Sequence, residues 1–234
     1  MSRLHISLDD TKGIFKVLSL GKVSSIFETR PLDFLKEMHE EYGSVFDLYC
    51  TYSDGEYNLG KVPDCYMNEF MENASWLRFG FHCYNEREEN KEDISDFKVH
   101  YEKFNIEIER VTGQINFPKI LRIHGFKGNK EICDFLRKSG VKTLLASDDS
   151  RMNYYLDEVR NGKLLKERHL YDDVLGIEFV TSCVRLENAK DIIYEINKRN
   201  DRGDLLIPVF THEWQMDRED VRNKLELCCK WGMR

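Results

Sequence analysis

Leu4-His5-Ile6-Ser7-Leu8-Asp9-Asp10 decides how the rest of the chain is to be read. Leu4, Ile6 and Leu8 alternate with polar neighbours at the period of a strand, and Thr11-Lys12-Gly13 breaks the pattern. The stretch is therefore expected to be a core strand that stops on two adjacent carboxylates. Side by side, two ionised carboxylates repel, and at the end of a buried strand that repulsion calls for a cation or strong donors opposite. A bound metal is the first expectation. The competing one is that Asp9-Asp10 opens a turn and caps the next segment.

The chain around this strand has 234 residues, 33% charged and 41% hydrophobic, which suits one large soluble α/β domain or two small ones. A formal net charge of -7, with basic residues interspersed among acidic ones, argues against a nucleic-acid surface. No apolar run reaches about 18 residues and no secretory h-region precedes the first strand, so no membrane span and a cytoplasmic location are expected. The seven cysteines include no C-x-x-C pair, so neither a disulfide framework nor a cysteine-rich zinc site is indicated. Most are expected to be small buried hydrophobes.

Working outward, periodicity predicts strands over residues 45–52, 77–82, 118–125, 141–146, 176–181 and 205–212. Helices are expected over 14–18, 31–40, 64–71, 93–111, 130–138, 188–198 and 218–231, with Asn129 as a cap before the fifth and Gly140 after it. Residues 153–156 and 163–165 are expected to pair as a small hairpin around Asn161-Gly162. Alternation of strands and helices implies right-handed crossovers and a mainly parallel sheet. Six or seven such units fit a distorted (β/α) barrel, with residues 1–234 as one domain; a doubly wound sheet is the other option.

In either architecture ligands bind beyond the carboxyl ends of the strands. Asp9 and Asp10, His82, Arg122 and His124, Asp148 and Asp149, and His212 all fall there. His82 and Glu86, four apart, add an imidazole and a carboxylate with the character of a catalytic zinc site. Against this, residues 86–92 form a charge run of the kind that normally faces solvent.

Together these segments resemble the NodB-type polysaccharide deacetylases, a family of the deacetylase-like barrels. That family's first motif, T-F-D-D-G, stands here as Ser7-Leu8-Asp9-Asp10-Thr11, and its H-S/T-x-x-H as His82-Cys83-Tyr84-Asn85-Glu86. Its Arg-led third motif is matched in layout by Arg122-Ile123-His124-Gly125-Phe126, and its L-x-H by Phe210-Thr211-His212. The resemblance implies a divalent metal, zinc above all, and removal of acetyl groups from N-acetylated sugars. It implies Asp9 as general base, Asp10 and His82 as metal ligands, Arg122 as the group steering Asp9, and His212 as general acid. Glu replaces the second histidine, so the third ligand stays open: spacing favours Glu86, while the preference of zinc for imidazole favours His124. A carboxylate, Asp148 or Asp149, is expected to orient His212 and raise its basicity. Trp214 is placed to stack on a sugar ring, and His5 is expected to be structural.

The function expected is thus a metal-dependent deacetylase acting on an acetamido sugar, such as a precursor in surface polysaccharide biosynthesis. A small non-sugar amide as substrate is an alternative, since loops set specificity on this fold. So is a non-catalytic relative that binds a saccharide or a protein.

Overall fold

The computed structural model describes residues 2–85, 93–182 and 184–233. In chain order its elements are β1 (Arg3–Thr11), α1 (Gly13–Ser19), α2 (Leu32–Tyr42), β2 (Phe46–Ser53), α3 (Met67–Glu72) and β3 (Leu77–Asn85). Next come α4 (Ile94–Thr112), β4 (Ile120–Leu121), α5 (Lys130–Lys138), β5 (Thr143–Ala146), α6 (Glu158–Glu167) and β6 (His169–Asp172). The series closes with β7 (Ile177–Thr181), β8 (Val184–Arg185), α7 (Ile192–Arg202), β9 (Leu206–His212) and α8 (Glu219–Gly232). Five parallel strands lie in the order β3-β2-β1-β9-β8, and four more in the order β4-β5-β7-β6. The two sheets adjoin where β3 meets β4 and β7 meets β9, which gives a distorted (β/α) barrel.

β1 sits at the centre of the larger sheet. Its Leu8 is fully buried and Ile6 nearly so, and it pairs with β2 on one side and β9 on the other. Full burial of one such aliphatic side chain contributes about 1.5–3 kcal/mol, so an internal strand flanked on both edges is strongly fixed in register. Gly80 lets β3 and β4 approach: a Cβ there would come within 2.8 Å of the Leu121 side chain.

The helices follow local signals. Asn129 Oδ1 accepts from the Ile132 amide at 2.8 Å and starts α5, and the left-handed Gly43 ends α2. α1 has no local cap. The carboxylate of Glu213 instead accepts from the amides of Lys12, Gly13 and Ile14 at 2.8, 2.6 and 2.7 Å.

Two expectations are corrected. The strand foreseen over 118–125 pairs only at Ile120–Leu121, because the chain beyond Leu121 leaves β5 and turns through a 3-10 segment, His124–Phe126. The Arg122 carbonyl accepts from an imidazole rather than from a neighbouring strand. The hairpin foreseen around Asn161-Gly162 is α6: Asp157 caps it, its side chain accepting from the Arg160 amide, and Asn161 faces inward to hold the preceding loop. A further strand, β6, adds an antiparallel edge to β7.

Candidate metal and hydrolytic site

Two strands are distorted where they deliver their side chains. Between the Leu8–Leu48 and Thr11–Cys50 pairs β1 advances three residues while β2 advances two. Between Cys50–Phe81 and Thr51–Cys83 β3 likewise carries one residue more than β2, and that residue is His82. Bulges of this kind concentrate at barrel rims and re-aim side chains. Adjacent residues of a regular strand point to opposite faces. Here Asp10 takes φ 53°, a left-handed conformation that aspartate tolerates better than most residues, and both Asp9 and Asp10 line one cavity.

That cavity, about 690 Å³, is also lined by His82, Arg122, His124, Asp148 and His212. One ligand atom from each of Asp10, His82 and His124 lies within 4.8 Å of the others. His82 Nε2 stands 3.2 Å from Asp10 Oδ1, yet that oxygen is buried and makes no hydrogen bond. The other His82 nitrogen, Nδ1, donates to the Arg122 carbonyl at 2.7 Å, which fixes the ring and leaves Nε2 turned toward the carboxylate. Burial alone would raise the Asp10 pKa. The contact with His82 and the charges of His82, His212 and His124 outweigh it and hold the carboxyl well below its usual range.

A carboxylate and two imidazoles around an unsatisfied buried oxygen are a donor set suited to zinc or a related divalent ion. The residues present therefore fit a metal. Glu86, the alternative third ligand, lies outside the described residues.

Two pairs flank this triad. Arg122, 1% exposed, donates to Asp9 Oδ1 at 2.6 Å, to Ser7 Oγ at 3.2 Å and to Ser182 Oγ at 2.9 Å from its Nη2, with its guanidinium 4.1 Å from the Phe210 ring centre. On the other side β1 and β9 stay in register as far as Asp9 and His212. His212 Nδ1 lies 2.8 Å from Glu187 Oε1, and its Nε2 faces Asp10 Oδ2 at 3.9 Å. Burial pushes the Glu187 carboxyl up, but hydrogen bonds from His212 and Arg185 prevail and hold it at about 2. The expectation that Asp148 or Asp149 orients His212 is thus corrected. Asp149 is engaged by Arg151 at 2.6 Å, and Asp148 is an exposed residue of the cavity wall.

Sequence reasoning missed Glu187. It ends the short segment Val184-Arg185-Leu186-Glu187 after β7, too brief to show a period; the only signal was its place before a helix beside the last strand. Trp214 is 60% exposed, its ring 5.6 Å from that of His212.

Fold and geometry together define a barrel whose strand ends carry an Asp-His-His cluster flanked by a carboxylate–arginine and a histidine–carboxylate pair. No protein-family profile and no curated protein sequence matches the chain. Solved structures do, and they are polysaccharide deacetylases of the NodB-like, CE4 kind. A Mycobacterium smegmatis protein assigned to the polysaccharide deacetylases aligns with a TM-score of 0.61 at 10% identity, over 99% of this chain and 85% of that one. The catalytic domain of a peptidoglycan N-acetylglucosamine deacetylase from Eubacterium rectale aligns at 0.47 and 14% identity, over 99% and 84%. A CE4 family pseudoenzyme from Bacillus anthracis aligns at 0.43 and 10%, over 97% and 60%. The first of these carries the fold: this chain has the NodB-like (β/α) barrel. No helix among the described residues is long and apolar enough to cross a membrane.

Proposed function

We propose that the chain, acting as one domain in the cytoplasm, is a metal-dependent hydrolase that removes the acetyl group from an N-acetylated sugar, such as a precursor of a surface polysaccharide. The observation that carries this reading is the buried, unsatisfied Asp10 Oδ1 facing His82, in a cluster with His124. Asp10, His82 and His124 would hold the ion, zinc in the first instance. When bound, the ion would polarise the acetamide carbonyl and make the attacking water more acidic.

The remaining work falls to the chain's own side chains. Asp9, ionised and steered by Arg122, accepts the proton of the water that attacks the acyl carbon. As the C–N bond breaks, the nitrogen must leave as an amine, and His212 Nε2 supplies its proton. Glu187 on Nδ1 fixes the tautomer and stabilises the protonated ring. Acetate and the free amino sugar result. Trp214, at the rim beside His212, offers an apolar face to the pyranose ring.

Two measurements test this: metal content of the purified protein, and acetate release from a panel of N-acetyl sugars. One divalent ion per chain with acetate release is expected. A loaded protein that cleaves only a small non-sugar amide would move the substrate elsewhere, and a chain that binds no divalent ion would overturn the hydrolase reading.

A further inference from the structure

The cavity that holds the cluster also holds a cation with no counterpart. Arg199, in the C-terminal half of α7, lines it and is 8% exposed. Its Nε is buried without a hydrogen-bond partner, and its guanidinium makes no ion pair or hydrogen bond with the described residues. The other guanidiniums of the cavity are committed: Arg122 to Asp9, Arg151 to Asp149, and Arg185 to Glu187. Lys190, exposed on the same wall, adds a second positive charge, while Glu195, one turn before Arg199, opposes them from the same helix without pairing with it.

A guanidinium held largely out of bulk water with its Nε unsatisfied, on the wall of a cavity, is disposed to take an oxyanion brought by a ligand. A neutral acetamido sugar brings none. We propose that Arg199, supported by Lys190, forms an oxyanion subsite, so that the substrate is an acetamido sugar bearing a phosphate or carboxylate. This deepens the deacetylase reading and rests on it for the sugar; the anion preference itself is independent of turnover.

Calorimetric titration of the metal-loaded protein tests it, with N-acetylglucosamine, N-acetylglucosamine 1-phosphate, UDP-N-acetylglucosamine and N-acetylmuramate as probes. At least one charged sugar is expected to bind roughly 10–100-fold more tightly than the neutral one, the range of a charge-assisted hydrogen bond. The pattern among the three separates phosphomonoester, diphosphate and carboxylate. Arg199→Gln should abolish that advantage and leave the affinity for N-acetylglucosamine unchanged, whereas Arg199→Lys should keep part of it. Glu195→Gln, which removes the opposing carboxylate, should strengthen binding of the charged sugar a few-fold, roughly 0.5–1 kcal/mol, and does not depend on how Arg199→Gln folds. Equal affinities in the wild type, an advantage that survives in Arg199→Gln, or no gain in Glu195→Gln would overturn the subsite. Charged-sugar binding without acetate release would leave it standing and reject the hydrolase.

Discussion

The barrel has a buried histidine–carboxylate cluster at each end, and the two are built to opposite standards. At the amino ends of the strands, Asp47 is 2% exposed and both its oxygens are satisfied, Oδ1 by Arg78 Nε at 2.6 Å and Oδ2 by His5 Nε2 at 2.8 Å. The Tyr49 hydroxyl joins them, 3.2 Å from His5 and 2.9 Å from the Ile120 carbonyl, while His5 Nδ1 stays buried without a partner. β1, β2 and β3 run there in regular register. At the carboxyl ends both β1 and β3 are bulged against β2, Asp10 is in a left-handed conformation, and one of its oxygens is orphaned inside a cavity. At the amino ends the chain's own side chains hold both oxygens of the carboxylate; at the carboxyl ends, on distorted strands, one carboxylate oxygen is left for something that arrives from outside.

Substitutions at the two ends should separate these roles, in descending order of their effect on turnover. His82→Ala, or treatment with a chelator, should remove the ion and lower acetate release by roughly a thousandfold or more; restoration by added zinc should follow chelation and fail in the variant. Asp9→Asn should cost on the order of 10²–10⁴ in kcat with the ion retained, as measured by elemental analysis alongside kinetics. Loss of the ion in Asp9→Asn would put that residue in the wrong role. For Glu187→Gln we expect a smaller fall in kcat, roughly 10–100-fold, with KM and metal content unchanged. Trp214→Ala should raise KM a few-fold and leave kcat alone, corresponding to about 0.5–1 kcal/mol of lost stacking. Asp47→Ala, at the opposite end, should leave turnover per folded molecule untouched while destabilising the chain by roughly 3 kcal/mol, seen as a Tm lowered by about 6–12 °C. A large kcat loss in Asp47→Ala with normal stability would dissolve the contrast between the ends.

Much of this was legible in the residues, and the limits have physical causes. Alternation in Leu4 to Asp10 marked the central strand because its two faces differ in polarity, and Asn129 and Gly140 marked the ends of α5 because capping is local chemistry. Asp9, Asp10, His82, Arg122, His124 and His212 were expected at strand ends and do line one cavity. What could not be read depends on contacts distant in sequence. Glu187 finds His212 across 25 residues, and Glu213 caps a helix 200 residues earlier. Asn161-Gly162 has the local chemistry of a hairpin turn, but it lies within α6, where the Asn161 side chain bonds Asn153 and Arg151 of the preceding loop. That His124 stands beside His82 depends on the chain after β4 folding back toward β3, a turn in which Gly125 adopts φ 64°.

The pairing of β1 with β9, reinforced by Glu213 on the first turn of α1, bears on how the chain comes off the ribosome. One edge of the first strand has no partner until some two hundred further residues have been made, and the start of α1 lacks its acceptor for as long. Until β9 has been made the nascent chain therefore carries an open β edge, a state prone to mispairing. The mouth of the barrel is completed only when the last strand closes against the first.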